Sequence, residues 1–308
     1  MSLNTLEKYK CKHLEVMLKQ AGNDSLGQAV LLIGPKFVGK KRWINKLIEE
    51  ILGDQSDTVS KNPDVHWLET GAKVSDVRRF LQKLYIKPYN DNKVVGVIEN
   101  IDQFTREGAN TLLKTFEEPP ESAILIFTAS MLDSVLPTIQ SRARIIQIPA
   151  LDNEAIMPLI ESLKWPCSSE LVSWLSQGYP GYIEHWQNNS ELLEQALRLV
   201  EEWNKIASEN YSRRSITAKA WSEIERDTFN WVSLLWLRGI LHHKMGEIDP
   251  RTDYLASLKN IAEIDLAWNN ISLESINEAI SEVLLLNNSK LSANQRKNNL
   301  EKILLTIL

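Results

Sequence analysis

Apolar residues follow two rhythms along the chain, and the rhythm changes near residue 150. Before that point, short unbroken apolar runs alternate with helix-period stretches. Ala29-Val30-Leu31-Leu32-Ile33 predicts a strand that stops at Gly34, and a basic helix-period stretch follows over residues 40–51. Val65–Leu68 predicts a second strand. Residues 74–84 predict a helix with Val77, Phe80, Leu81 and Leu84 on one face, and Val94–Ile98 a third strand. Thr105 can cap the next helix, whose face is Ala109, Leu112, Leu113 and Phe116; Pro119-Pro120 ends it. Residues 123–127 and 145–148 predict the fourth and fifth strands. Continuous apolar strands alternating with helices imply an α/β fold with a parallel sheet covered on both faces. Such a sheet binds ligands at the carboxyl ends of its strands.

After Pro149 the strand signals stop and the pattern is helical throughout. Gly178-Tyr179-Pro180-Gly181 is the clearest break. The expected organisation is an α/β domain over 1–150, a small helical domain over 151–190 and a larger helical domain over 191–308. Ser292 and Gln295 form a capping box. The helix that follows carries Leu300, Ile303, Leu304, Ile307 and Leu308 as an apolar stripe. That stripe must be buried, either in its own domain or against a neighbouring subunit. Trp165, Trp174, Trp186, Trp203, Trp221, Trp231, Trp236 and Trp268 all fall in the helical part. Core packing accounts for them most simply; an interface is the other reading.

Composition narrows the function. Of 308 residues, 43% are apolar and 24% charged, so disordered and fibrous classes are out. No apolar run approaches the roughly 18 residues of a membrane helix, and residues 1–10 show no signal-peptide core. A net charge of −5 argues against nucleic-acid binding through bulk charge. Cys11 and Cys167 form no pair motif, which points to a reducing, cytoplasmic setting and excludes a cysteine-based zinc site.

Three places carry candidate chemistry. Gly34-Pro35-Lys36-Phe37-Val38-Gly39-Lys40-Lys41 has P-loop spacing between a strand and a helix. Gly34 and Gly39 would let backbone N–H groups face phosphates, and Lys40 would reach the terminal ones. The next position should carry a hydroxyl for Mg²⁺, but Lys41 cannot ligate a cation. A corner that binds nothing is the alternative. The third strand runs into Glu99-Asn100-Ile101-Asp102, where an ATPase would place a metal-holding Asp and a catalytic Glu. Glu99 could still serve a metal; Asn100 is neutral and fails as a general base. Asp102 lies past the strand end. Finally, Ser141-Arg142-Ala143-Arg144 precedes the fifth strand. An arginine there could pair locally or reach a neighbouring subunit's phosphate. His13, His66, His185, His242 and His243 show no metal spacing.

These residues resemble a known family. Asn62-Pro63-Asp64-Val65-His66-Trp67, Ile86-Lys87-Pro88-Tyr89, Ala109-Asn110-Thr111-Leu112-Leu113-Lys114-Thr115-Phe116-Glu117-Glu118-Pro119-Pro120 and Leu136-Pro137-Thr138-Ile139-Gln140-Ser141-Arg142-Ala143 resemble the strings of bacterial clamp-loader AAA+ subunits. Gly178-Tyr179-Pro180-Gly181 resembles their lid motif, and the stretch from Asn294 to Leu305 their final collar helix. The family's four-cysteine zinc module is missing: the stretch from Gly53 to Lys61 is short and lacks Cys. Tyr182 replaces the lid's sensor arginine. Thr128-Ala129-Ser130 covers the first sensor, with no indication of which residue would touch phosphate.

The resemblance implies an AAA+ domain, an all-helical lid and an all-helical collar. Lys41, Asn100 and Tyr182 point to the delta-prime type of DNA polymerase III clamp-loader subunit, a non-hydrolysing stator. Implied partners are gamma/tau and delta subunits, with the sliding clamp and primed DNA reached through the complex. No membrane and no required cofactor are implied; weak ATP or ADP binding stays open. Arg142, beside Ser141, would act in trans as an arginine finger. An ATP-hydrolysing gamma/tau-type motor and a nucleic-acid-binding scaffold outside replication are the alternatives.

Overall fold

The structure is a computed structural model that describes residues 27–53, 62–89, 93–206, 214–246, 271–286 and 292–307. Cys11, His13, Trp268, Leu308, the first ten residues and residues 54–61 lie outside the described residues. The chain divides into two compact units, Met1–Ala155 with Tyr179–Gly181, and Ile156–Gly178 with Tyr182–Leu308.

The first unit holds a five-stranded, wholly parallel sheet in the order β2-β3-β4-β1-β5. Its strands are β1 (Ala29–Ile33), β2 (Val65–Leu68), β3 (Val94–Ile98), β4 (Ala123–Ala129) and β5 (Arg144–Gln147). β4 runs two residues beyond the apolar stretch, because Thr128 and Ala129 still pair with Leu32 and Ile33. β5 begins one residue earlier than its apolar pattern, since Arg144 pairs with Val30. Between the strands come helices α1 (Lys40–Leu52), α2 (Val74–Leu84), α3 (Arg106–Glu117) and the single turn α4 (Pro137–Gln140).

The sheet's side-chain alternation divides each apolar run between two cores. Val30 and Leu32 join Trp43, Ile44, Leu47 and Ile48 of α1 on one face. Leu31 and Ile33 join Val77, Phe80 and Leu84 of α2 and Leu112 and Phe116 of α3 on the other. Thr105 Oγ1 accepts from the Gly108 N–H at 3.1 Å, so the cap read from the sequence forms.

The second unit is helical throughout its described residues. α5 (Asn153–Glu161) crosses the unit boundary. It is followed by α6 (Ser169–Ser176), α7 (Pro180–Asn188), α8 (Ser190–Ile206), α9 (Arg214–Glu223), α10 (Arg226–Met245), α11 (Leu273–Leu285) and α12 (Ala293–Ile307). Its centre is aromatic: Trp203, Trp221, Trp236 and Phe229 are fully buried. The Trp203 ring lies 4.8 Å from Trp221 and 4.7 Å from Trp236. All three buried indoles find acceptors, Ser233 Oγ, Glu202 Oε2 and Asn204 Oδ1, which removes the cost of burying an N–H.

The Ser292–Gln295 capping box closes in both directions, at 2.9 and 3.3 Å. The stripe on α12 is buried within its own unit against α9 and α11, with Leu300 and Ile303 wholly inaccessible. Among the described residues no helix is long and apolar enough to cross a membrane.

Candidate functional site

β1 lies between β4 and β5, and the chain leaves β1 and β4 toward opposite edges of the sheet. The crevice at their carboxyl ends is therefore a switch point, where α/β sheets take ligands. Gly34 sits there and donates its N–H to the Ala129 carbonyl at 3.1 Å. Phe37 (φ 66°) and Gly39 (φ 101°) both adopt left-handed backbone, which bends the loop into α1.

Lys40 opens α1 and turns back over the loop. Its Nζ donates to the carbonyls of Gly34 and of Pro35, the latter at 3.1 Å. Burial pushes its ammonium below the ordinary lysine range, while Asp102 and then Glu99 draw it back up. Lys41 is exposed, and its Nζ stands 5.9 Å from the centre of the Trp67 ring on β2. The residue at the hydroxyl position thus presents an ammonium occupied by an aromatic face. Loop N–H groups and Lys40 suit a phosphate; Lys41 offers no hydroxyl to a metal that would accompany it.

At the end of β3 the carboxylate and amide positions are tied down. Asn100 has left-handed backbone (φ 50°), donates its N–H to Thr128 Oγ1 at 2.8 Å, and donates its side-chain amide to Thr70 Oγ1 at 2.8 Å. Asp102 lies on the turn Ile101–Gln103 and accepts from the Ser130 N–H at 3.0 Å; its other oxygen, Oδ1, is buried without a hydrogen-bond partner. Asp102, rather than Glu99, is the carboxylate acting more strongly on Lys40. Within the 128–130 stretch, Thr128 serves Asn100 and Ser130 serves Asp102. Among the described residues no three His, Cys, Asp or Glu side chains gather as a metal site.

The lid motif contributes to the loop in a way its sequence does not reveal. The Gly181 N–H donates to the Phe37 carbonyl at 2.9 Å. A Cβ on Gly181 would meet that oxygen at 2.6 Å and the Phe37 Cα at 2.8 Å, so no larger residue fits without movement. The Pro180 ring lies beside Gly39, 3.1 Å from where a Cβ would stand. The glycine–proline string reads only as a helix break; that it docks on the P-loop depends on distant chain.

Arg142 and Ser141 occupy the turn after α4. Ser141 Oγ donates to the Thr138 carbonyl at 3.2 Å and Arg142 Nη1 to the same carbonyl at 3.3 Å. Arg142 and Arg144 are both exposed. Arg144 is level with Val30 in the sheet, four residues before Gly34, or roughly 13 Å at strand spacing. Arg142 enters still earlier, so it stands at the opposite end of the sheet from its own P-loop. Tyr182, by contrast, makes aromatic contacts with Trp186 and Trp231.

Comparison with known proteins adds the following. Residues 9–152 match the family described as "DNA polymerase III, delta subunit". DNA polymerase III subunit gamma of Buchnera aphidicola from Schizaphis graminum is 24% identical over 276 residues, covering 81% of this chain and 69% of that protein. DNA polymerase III subunit gamma/tau of Mycobacterium tuberculosis is 38% identical over 69 residues, covering 22% of this chain and 12% of its own length. The chain thus spans only a small part of that second relative. Among solved structures, a gamma subunit-related protein of Thermotoga maritima is 17% identical with a TM-score of 0.48, covering 92% of this chain and 99% of that one.

Proposed function

We propose that this chain, whose residues 9–152 match the family described as "DNA polymerase III, delta subunit", is a clamp-loader subunit of the delta-prime-like stator type that assembles with gamma/tau and delta subunits and does not itself hydrolyse ATP. The observation that carries the reading is Asn100. An uncharged amide, bonded to Thr70 Oγ1, holds the place where a general base would have to stand. Lys41, turned onto Trp67 where a metal-binding hydroxyl is needed, supports it independently. In this role the chain helps place a ring clamp on primed DNA without performing chemistry.

Arg142 is the chain's contribution to a neighbour's chemistry. A guanidinium is always charged and grips phosphate oxygens with two donors. Its entry at the far end of the sheet from its own P-loop supports a target outside this chain. The test is steady-state phosphate release by the isolated protein at saturating Mg-ATP, where no turnover is expected. A rate on the order of 1 s⁻¹ that Lys40→Ala abolishes would instead establish a gamma/tau-type motor.

A further inference from the structure

Outside the P-loop corner, the most specific side-chain arrangement lies at the edge of the second unit. Tyr182 and Trp186 stand four residues apart on α7 and so share a face. Their ring centres are 5.2 Å apart with planes inclined by 27°. From α10, Trp231 stacks on Tyr182 itself, at 4.7 Å and 28°. The Trp231 indole N–H then reaches past the stack to the Leu175 carbonyl on α6, at 2.7 Å. One indole therefore binds two other helices by two different interactions.

We propose that Tyr182, Trp186 and Trp231 form an aromatic clasp that locks α6 and α7 to the long helix α10, so that the three helices move as one body. This inference does not rest on the clamp-loader reading. The arrangement differs in kind from the aromatic centre of the unit. Trp203, Trp221, Trp236 and Phe229 are fully enclosed, whereas of the stack only Trp186 is buried and Tyr182 and Trp231 remain half-buried. Loss of the Tyr182–Trp231 stack leaves that centre intact, so its effect falls on how the helices are fastened rather than on whether the unit folds. The end of α6 is fixed locally as well: Gln177, at φ 49°, closes the helix and donates its side-chain amide to the Trp174 carbonyl at 2.8 Å. α6 therefore transmits the constraint as a rigid piece.

Hydrogen exchange on the full chain tests the clasp. In the parent protein and in Tyr182→Phe, amides of residues 169–188 and of the first half of α10 should open together, with and without Mg-ATP. In Tyr182→Leu, which keeps apolar volume but cannot stack, exchange over 169–188 should rise about tenfold, the scale of one to two aromatic pairs, while α10 is unchanged. Trp231→Phe, which retains a ring but loses the Leu175 hydrogen bond, should give the same direction with a smaller change. It also keeps the test open if Tyr182→Leu does not fold. Exchange over 169–188 that stays at the parental rate in either folded variant would overturn the clasp. So would opening of 169–188 apart from α10 in the parent once Mg-ATP is added.

Discussion

The two ends of the sheet have kept opposite things. At the carboxyl end of β1 the P-loop retains its shape, with Gly39 in left-handed backbone and Lys40 over the loop, while the residues around it are occupied with one another. Lys41 is on Trp67, Asn100 on Thr70, Asp102 on Ser130 and Gly181 on Phe37. At the amino end of β5, Arg142 is exposed on a short turn and tied to its own backbone by a 3.3 Å hydrogen bond. In the proposed stator, the first corner serves stability and Arg142 serves a neighbour. Substitutions at the first end should therefore cost folding, and those at the second should cost activity in a partner.

The strongest test of that contrast is Arg142→Ala. Folding and assembly should be unaffected, since the side chain sits exposed on a turn. Hydrolysis at the adjacent motor site should fall by about 10³-fold or more, the range for arginine fingers, measured in a complex where only that site is active. Arg144→Ala, within β5, should do far less. Unchanged turnover in Arg142→Ala, or equal losses from both, would erase the distinction between the two ends.

Gly181→Ala probes the other end. Its Cβ would sit 2.6 Å from a backbone oxygen, and such overpacking costs about 1–3 kcal/mol. The urea midpoint should fall with little change in slope, and the variant should gain no ATPase activity. A parental midpoint would mean the lid string does not rest on the loop.

Asn100→Ala should be milder. It removes a hydrogen bond to Thr70 worth about 0.5–1.5 kcal/mol, read from the same urea curves. Turnover present in the parent and abolished by this substitution would show that the amide has a catalytic task after all.

The smallest effect concerns pH. His66 on β2 has its imidazole pushed below the ordinary value of 6.5, first by burial and then by Lys83, with Asp64 opposing. The unfolded chain then takes up the proton more readily than the folded one. Stability that depends on neutral His66 is present above the unfolded value and is lost as the pH falls below it. Between about pH 7.5 and pH 5.5, His66→Gln should lose less stability than the parent, as judged by urea midpoints. Identical slopes would remove His66 as a contributor to acid sensitivity.

Much of this was legible locally. The strands of the first unit declare themselves because continuous apolar runs of that length have few other uses, and the α12 capping box needs only residues three apart. The exceptions are instructive. The sequence alone leaves the α12 stripe with two possible burial partners. Its fate depends on α9, more than seventy residues away, and just past that helix the Ile224 carbonyl accepts from Arg296 at 2.7 Å. Tyr182 shows only as a departure from a family pattern; its partners Trp186 and Trp231 carry no signal that would mark them as a stack.

What the sequence determined by itself was residue chemistry at fixed positions: an ammonium at 41, an amide at 100, a guanidinium at 142, and periodicities that make a parallel sheet followed by helices. These are properties of single side chains and of spacing within one turn or one strand. Tertiary structure decided what each of those groups is doing. Trp67 and Thr70 lie about thirty residues from the groups they hold, and Gly181 lies 144 positions beyond Phe37 (181 minus 37). Contacts of that range are set by strand order and helix packing, which fix distances that no local pattern encodes.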